Sequence, residues 1–279
     1  MKKNWLYGKT VIISGASGGI GFSCAKTLIE KYDCNVIGIA RNEEKLLKNR
    51  QTLVEKQNKF TYRLFDVGVY ENWVEFKNYL DSNGIIPDVL FNNAGFMLPF
   101  KKYDDYDTAL IDEIVKTNLC SVLYSTKVLM PLLKKSSSPS VVNLASSAGL
   151  CPVVGESLYC TTKYAVRGFT ETLMQDYTKK ELYVCGIYPG FIKTNIVDRM
   201  NLSEKNGKIV EKLMMPLDKA TKKIIKGLSH KKKRIVFGFD GKSLSFGGKF
   251  MPDLFPSLMK KVLKSSGLDL FDGVFGKKA

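Results

Sequence analysis

Short apolar runs recur along the chain, separated by longer stretches in which apolar positions repeat every three or four residues. Thr10–Ser14 (TVIIS), Asn35–Ala40 (NVIGIA), Phe60–Leu64, Val89–Asn92 behind Pro87, Ser140–Leu144 and Leu182–Tyr188 read as strands. The stretches between them read as helices: 19–31, a charged helix capped by Asn42 and running toward Gln57, 71–81, a long helix over 107–135 with Pro131 as a kink site, and 156–180. Pro216–Ser229 and Arg234–Gly238 give a last helix and strand. Alternation at this spacing implies parallel strands joined by right-handed crossovers, with helices on both faces. The expected fold class is therefore α/β, a doubly wound parallel sheet of about seven strands, whose ligands bind beyond the C-terminal strand ends. No internal repeat or low-complexity linker interrupts it. Residues 195–215 and the tail after Phe239 fall outside the alternation and are candidate substrate-covering segments. Domain boundaries follow: a catalytic domain over 1–240 and a C-terminal extension over 241–279.

Composition narrows the chemistry. With 44% apolar residues in a chain of 279, there is enough material for a buried core. The six cysteines form no C-x-x-C pair, and the single histidine, His230, sits in a lysine run. A His/Cys zinc site and a Ser-His-Asp hydrolase are both excluded, and no metal is expected. Scattered cysteines fit a reducing compartment. Lys2 and Lys3 precede an apolar run too short for a signal segment, and the longest uncharged stretch, Ser136–Gly155, is rich in Ser, Gly and Pro, so a cytoplasmic location is expected. The net charge is +16, and from Asp218 onward fifteen Lys or Arg face five Asp. That excess suits a solvated surface, an anionic membrane surface or an acidic partner; no nucleic-acid motif accompanies it.

Two clusters of candidate chemistry follow the strands. After the first strand comes Ser14-Gly15-Ala16-Ser17-Gly18-Gly19-Ile20-Gly21. Glycines there allow a tight turn and close approach of a pyrophosphate to the N–H groups that open the next helix. This is the Rossmann-like arrangement, and it predicts a dinucleotide. Arg41, at the end of the second strand, replaces the acidic residue that would bind the ribose hydroxyl of NAD; an arginine suits the 2′-phosphate of NADP, so NADP(H) is the expected cofactor. Asp66-Val67 after the third strand either contacts adenine or caps a turn, and Asn92-Asn93-Ala94-Gly95 closes the fourth beside the nucleotide. At the other end, Tyr159 and Lys163 share a helix face four residues apart. A free tyrosine, pKa about 10, is a poor base, and a neighbouring ammonium lowers that value. Ser146 or Ser147, after the fifth strand, supplies a hydroxyl for the substrate oxygen.

Taken in order, SGASGGIG at 14–21, NNAG at 92–95, Asn118, the serine before Ala148-Gly149, YCTTK at 159–163, and Pro189-Gly190 with Thr194 resemble the classical short-chain dehydrogenase/reductase family over roughly residues 8–238. The resemblance selects Ser146 over Ser147, because the family serine precedes the tyrosine by thirteen residues. It implies Tyr159 as acid/base, Ser146 as carbonyl-orienting, Lys163 as ribose-holding and pKa-lowering, and Asn118 as the anchor of a water in a proton relay. Cofactor contacts implied are Gly15, Ser17, Gly18, Gly19, Ile20, Gly21, Arg41, Asp66, Val67, Asn92, Ala94, Gly95, Tyr159, Lys163, Pro189, Gly190, Ile192 and Thr194. Ser14 stands where the family more often has threonine and keeps the hydroxyl.

The residues near the reacting end, Phe96, Met97, Leu98, Leu150, Cys151, Val153, Val154 and Phe191, are mostly apolar and suggest a hydrophobic small-molecule substrate. The tail carries helix-spaced Phe250, Met251, Leu254, Phe255, Leu258, Met259, Val262 and Leu263 with Lys260, Lys261 and Lys264 between them. It reads as a pocket cover, a subunit contact, a membrane-surface segment or a helix docked on the parent domain. The resemblance favours a steroid-like alcohol or ketone. Two alternatives are a 3-ketoacyl thioester reductase acting on an acidic carrier protein and a non-catalytic NADP-binding sensor. It also implies a homodimer or homotetramer formed through the helices at 107–135 and 156–180.

Overall fold

In β1 (Thr10–Ser14) neighbouring side chains enter opposite layers: Val11 and Ile13 join one hydrophobic cluster and Ile12 another. β2 (Asn35–Ala40) repeats the division, with Val36 on one side and Ile37 and Ile39 on the other. Both faces of these strands are buried, which is why they read as continuous apolar runs. The computed structural model describes residues 4–194 and 204–276. With β3 (Phe60–Leu64), β4 (Val89–Asn92), β5 (Ser140–Leu144), β6 (Tyr183–Pro189) and β7 (Arg234–Phe237), the strands form one parallel sheet in the order β3-β2-β1-β4-β5-β6-β7. The order reverses between β1 and β4, the place where a doubly wound sheet opens a crevice for ligands.

Helices α1 (Gly19–Tyr32) and α8 (Leu217–Ser229) cover one face, burying Leu28, Ile29, Ile224 and Leu228. The other face is covered by α3 (Tyr70–Ser82), α5 (Ser121–Leu133) and α6 (Ser157–Asp176), through Trp73, Leu80, Leu129, Leu133 and Leu173. The charged helix after β2 stops earlier than its composition suggests. α2 (Glu43–Gln51) has the expected Asn42 cap, with the Lys45 N–H donating to Oδ1 at 2.8 Å, but Thr52 turns back onto the Asn49 carbonyl and Val54 takes a positive φ of 47°. A tighter 3₁₀ turn at Val54–Lys59 completes the connection.

The long helix predicted over 107–135 is three pieces in line: α4 (Thr108–Val115), a wider π turn at Lys116–Cys120, and α5. Its irregularity lies at Asn118, not at Pro131, which α5 accommodates two residues before its end. α6 ends at Asp176, where Tyr177 turns extended, short of the expected Lys180. Residues 195–203 of the predicted covering segment lie outside the described residues; α7 (Glu204–Leu213) follows them. Beyond β7 the chain forms α9 (Phe239–Phe250), α10 (Leu254–Ser266) and a short α11 (Asp272–Phe275). Phe271 packs edge-on against Phe100 at 4.9 Å, in a third cluster with Met97, Leu98, Tyr106 and Leu158. No helix among the described residues is long and apolar enough to cross a membrane.

Candidate active site

The turn after β1 is shaped by its glycines. Gly15 and Gly19 have φ of 69° and 52°, and a side chain at Gly21 would collide with the Gly15 carbonyl. The Ser14 hydroxyl accepts from the N–H groups of Asn93 (2.9 Å) and Ala94 (3.0 Å), and Asn93 Nδ2 donates to the Ser14 carbonyl at 2.8 Å. These bonds tie the ends of β1 and β4 together. Around them lies an open groove of about 1360 Å³, lined by Gly15, Ser17, Gly18, Gly19, Ile20, Arg41, Asp66, Val67, Ala94, Gly95 and Thr194, all predicted cofactor contacts. Arg41 stands half over its edge, 63% exposed and 3.4 Å from an Asp66 carboxylate oxygen. Asp66 also accepts from the Gly68 N–H at 2.8 Å, so it shapes its own turn as well. The cradle suits a dinucleotide: a glycine turn without Cβ atoms, the N-terminus of a long helix, and cationic side chains at the far end.

Asn92 is a correction. It sits opposite Asn143 in the β4–β5 register, and its amide donates to Asn143 Oδ1 at 2.9 Å while Oδ1 accepts from Ser125 at 2.7 Å. Its side chain is 3% exposed and points into the α5 layer, leaving Asn93, Ala94 and Gly95 to line the groove. The alternation of side chains along a strand sends adjacent asparagines to different places.

The second cleft, about 700 Å³ and open to solvent, adjoins the first through Ile20, Asn93, Gly95, Leu144 and Thr194. Its lining includes Ser146, Ser147, Tyr159, Lys163, Pro189, Gly190, Phe191, Ile192, Met97 and Val153. The Ser146 hydroxyl faces the Tyr159 phenol, favouring its anion, and accepts from the Ala148 N–H at 3.1 Å; Ser147 is buried beside it. Lys163 Nζ donates to the Leu144 carbonyl at 3.2 Å and lies 5.5 Å from the Tyr159 ring centre. A Cβ on Gly95 would stand 3.0 Å from Asn118 Oδ1 and 3.3 Å from Lys163 Nζ, so glycine there keeps this corner open. Asn118 exchanges two hydrogen bonds of 2.9 Å with the Phe96 backbone, pinning the loop after β4. The phenol pKa departs from expectation. Burial first, then the Glu156 charge, hold Tyr159 above the ordinary phenol range, against the opposing Ser146 hydroxyl. Burial also pushes the Lys163 ammonium down to about 8. Desolvation, not the Lys163 ammonium, sets the direction of the phenol's shift.

Three residues escaped the sequence reading. Lys45 lines the groove near Arg41, and its place in the first turn of α2 follows from the Asn42 cap. Asp240, in the first turn of α9, accepts from the Phe191 N–H at 2.6 Å and lies against Gly190. Glu156 lines the second cleft, 3% exposed. Cys151 and Cys160 are buried packing residues with thiols raised by desolvation, Cys160 to about 12. Among the described residues, no group of His, Cys, Asp and Glu could hold a metal.

The short chain dehydrogenase profile matches residues 9–205, and the chain belongs to that family. It is 33% identical over 208 residues to an uncharacterized oxidoreductase of Staphylococcus saprophyticus, across 72% of this chain and 80% of that protein. Identity to a 3-oxoacyl-acyl-carrier-protein reductase of Vibrio harveyi is 29% over 200 residues, across 70% and 78%. A solved short-chain dehydrogenase from Sphingobium yanoikuyae, in complex with NADPH, shares the fold with a TM-score of 0.72 at 20% identity, across 92% of this chain and 93% of that one.

Proposed function

We propose that the protein is an NADPH-dependent reductase of a ketone on a hydrophobic small molecule, with Tyr159 as proton donor. One observation carries this reading: the buried Tyr159 phenol lines, with Ser146 and Lys163, an apolar cleft that adjoins the glycine-lined groove. A bound dihydronicotinamide would supply the hydride. Tyr159 gives its proton to the carbonyl oxygen, and Ser146 holds that oxygen in place. Burial keeps the phenol in the protonated form from which reduction starts. Lys163, neutralised or charged near pH 8, serves as the next proton carrier and as a hydrogen-bond partner for the ribose. Asn118, in the π turn, holds the loop that positions Gly95 against Lys163. Arg41 and Lys45 mark the 2′-phosphate site and hence NADP over NAD. The walls formed by Met97, Val153, Phe191 and Leu244 suit an alicyclic or aromatic skeleton, a steroid-like one included.

Consumption of NADPH and NADH against a panel of apolar ketones and short ketoacyl thioesters tests this. Tyr159→Phe is expected to lower kcat/KM by roughly 10²–10⁴-fold with NADPH binding retained. Arg41→Ala is expected to weaken NADPH about tenfold or more while leaving NADH nearly unaffected. Undiminished turnover by the Phe variant would remove Tyr159 from the chemistry. Turnover confined to the thioesters would favour the reaction named for the Vibrio harveyi relative.

We also propose that the outer face of α9 and α10 rests on an anionic membrane surface. Phe239, Phe246, Phe250, Leu254, Leu258 and Val262 are 46–90% exposed there. Lys242, Lys249 and Lys261 share the same helical stripes, and the positive charge argues against a second copy and for an anionic occupant.

A further inference from the structure

Glu156 occupies the N-cap position of α6, where a short polar side chain would ordinarily accept from the first turn. Its side chain caps nothing. Instead it lies buried in the wall of the substrate cleft, one helical turn before Tyr159, and its Oε1 meets no hydrogen-bond partner. No ion pair to Glu156 occurs among the described residues, and the titratable groups that feel its charge are Tyr106, Tyr159 and Cys160. Tyr106 is already satisfied, its hydroxyl donating toward the Pro99 and Gly155 carbonyls at 2.8 Å. A buried carboxyl oxygen without a partner is costly, and one that faces a cleft calls for a partner there.

Burial raises this carboxyl to about 8, so near neutrality it is a donor and an acceptor at once. A hydroxyl is the group that answers both. An ammonium would need several acceptors around its three N–H bonds, and the surrounding walls of Met97, Val153, Phe191 and Leu244 offer none from their side chains. An anion would lose its hydration among apolar walls for a single O–H donor. Glu156 and Tyr159 line the same cleft, and the phenol feels the Glu156 charge, which places the second oxygen close to the one that Tyr159 protonates.

We propose that Glu156 is a specificity-determining residue that hydrogen-bonds a hydroxyl on the carbon beside the reacting carbonyl, so that the substrate is an α-hydroxyketone on an otherwise apolar skeleton. This rests on the reductase reading above and narrows it. The test compares 2-hydroxyacetophenone with acetophenone, which differ by that hydroxyl alone. With NADPH, the intact protein is expected to favour the hydroxyketone by about tenfold or more in kcat/KM. Glu156→Leu is expected to bring that ratio near one, and Glu156→Gln, which keeps a donor and an acceptor, to retain part of it. Calorimetric titration of both ketones into the Tyr159→Phe protein loaded with NADP⁺ reads the same preference without turnover. Preference in binding that Glu156→Leu abolishes, without turnover in the unmodified protein, supports the subsite and defeats the reductase reading. Turnover of both ketones with equal kcat/KM, or a preference unchanged in Glu156→Leu, overturns the subsite and spares the reductase reading. Absence of any preference in binding overturns the subsite as well.

Discussion

At Glu156 the cost of burial is also readable as a pH dependence. The carboxyl is raised from 4.5 to about 8 in the folded protein, so between those values the native state holds a proton that the unfolded chain has released. Stability from this group is full below pH 4.5 and falls as pH rises toward and through about 8. Glu156→Gln removes that titration. Its stability relative to the parent is expected to climb across this interval, by roughly 2–5 kcal/mol in all. Thermal or denaturant unfolding at several pH values checks this, and a constant difference would mean that the carboxyl finds a partner. The sequence marked Tyr159, Lys163, Ser146 and Asn118, because each stands in a patterned motif beside a strand end or on one helix face. Glu156 carries no such mark, since a glutamate reads as solvent-facing until the cleft around it is seen. Asn92 shows the converse: its motif is legible, but the pleat decides that its side chain serves the Asn143 and Ser125 network and not the nucleotide groove.

Elements were legible where burial dictates composition. All seven strands and the two-faced helix layers follow from apolar runs and helical periodicity; the 3₁₀ turn at Val54–Lys59 and the π turn at Lys116–Cys120 do not, because both are settled by tertiary contacts. The tail shows only helical spacing in the sequence, yet α9 is joined to the cleft at a definite point. The Asp240 carboxylate accepts from the Phe191 N–H, and a side chain at Gly190 would collide with it. Leu244, one turn further along α9, lines the cleft with Phe191. Asp240→Ala is expected to cost about 1.5–3 kcal/mol, the worth of a charged hydrogen bond, and to loosen α9 and α10 first. Amide hydrogen exchange should quicken across 239–266 while the β4 and β5 peptides stay protected, and KM for an apolar ketone should rise more than kcat falls. Uniform exchange over the whole chain would show that Asp240 does not hold α9 to the site.

For the molecule as a whole, the +16 charge acquires a direction from the fold. Leu244 on the inner side of α9 lines the substrate cleft, while Phe246 and Phe250, their rings 4.9 Å apart, stand on its outer side with Lys249 over Phe250. A helix with one side in the pocket and the other on a bilayer would place the mouth of an apolar cleft beside the phase where apolar ketones concentrate. Flotation with phosphatidylcholine vesicles, with and without phosphatidylserine, tests the arrangement. Binding is expected only where phosphatidylserine is present, and it should weaken as salt shortens the Debye length. Each lysine near the surface contributes on the order of 1 kcal/mol, so Lys249→Ala or Lys261→Ala should weaken binding roughly fivefold. Replacing Phe246 and Phe250 with serine should lower binding even at low salt, where charge alone would suffice for a purely electrostatic contact. If the double serine variant bound anionic vesicles as well as the parent, the phenylalanines would not enter the interface, and the lysine excess would be a steering field without a seat. If neutral vesicles bound equally, the charge would be incidental and the apolar face would carry the contact alone.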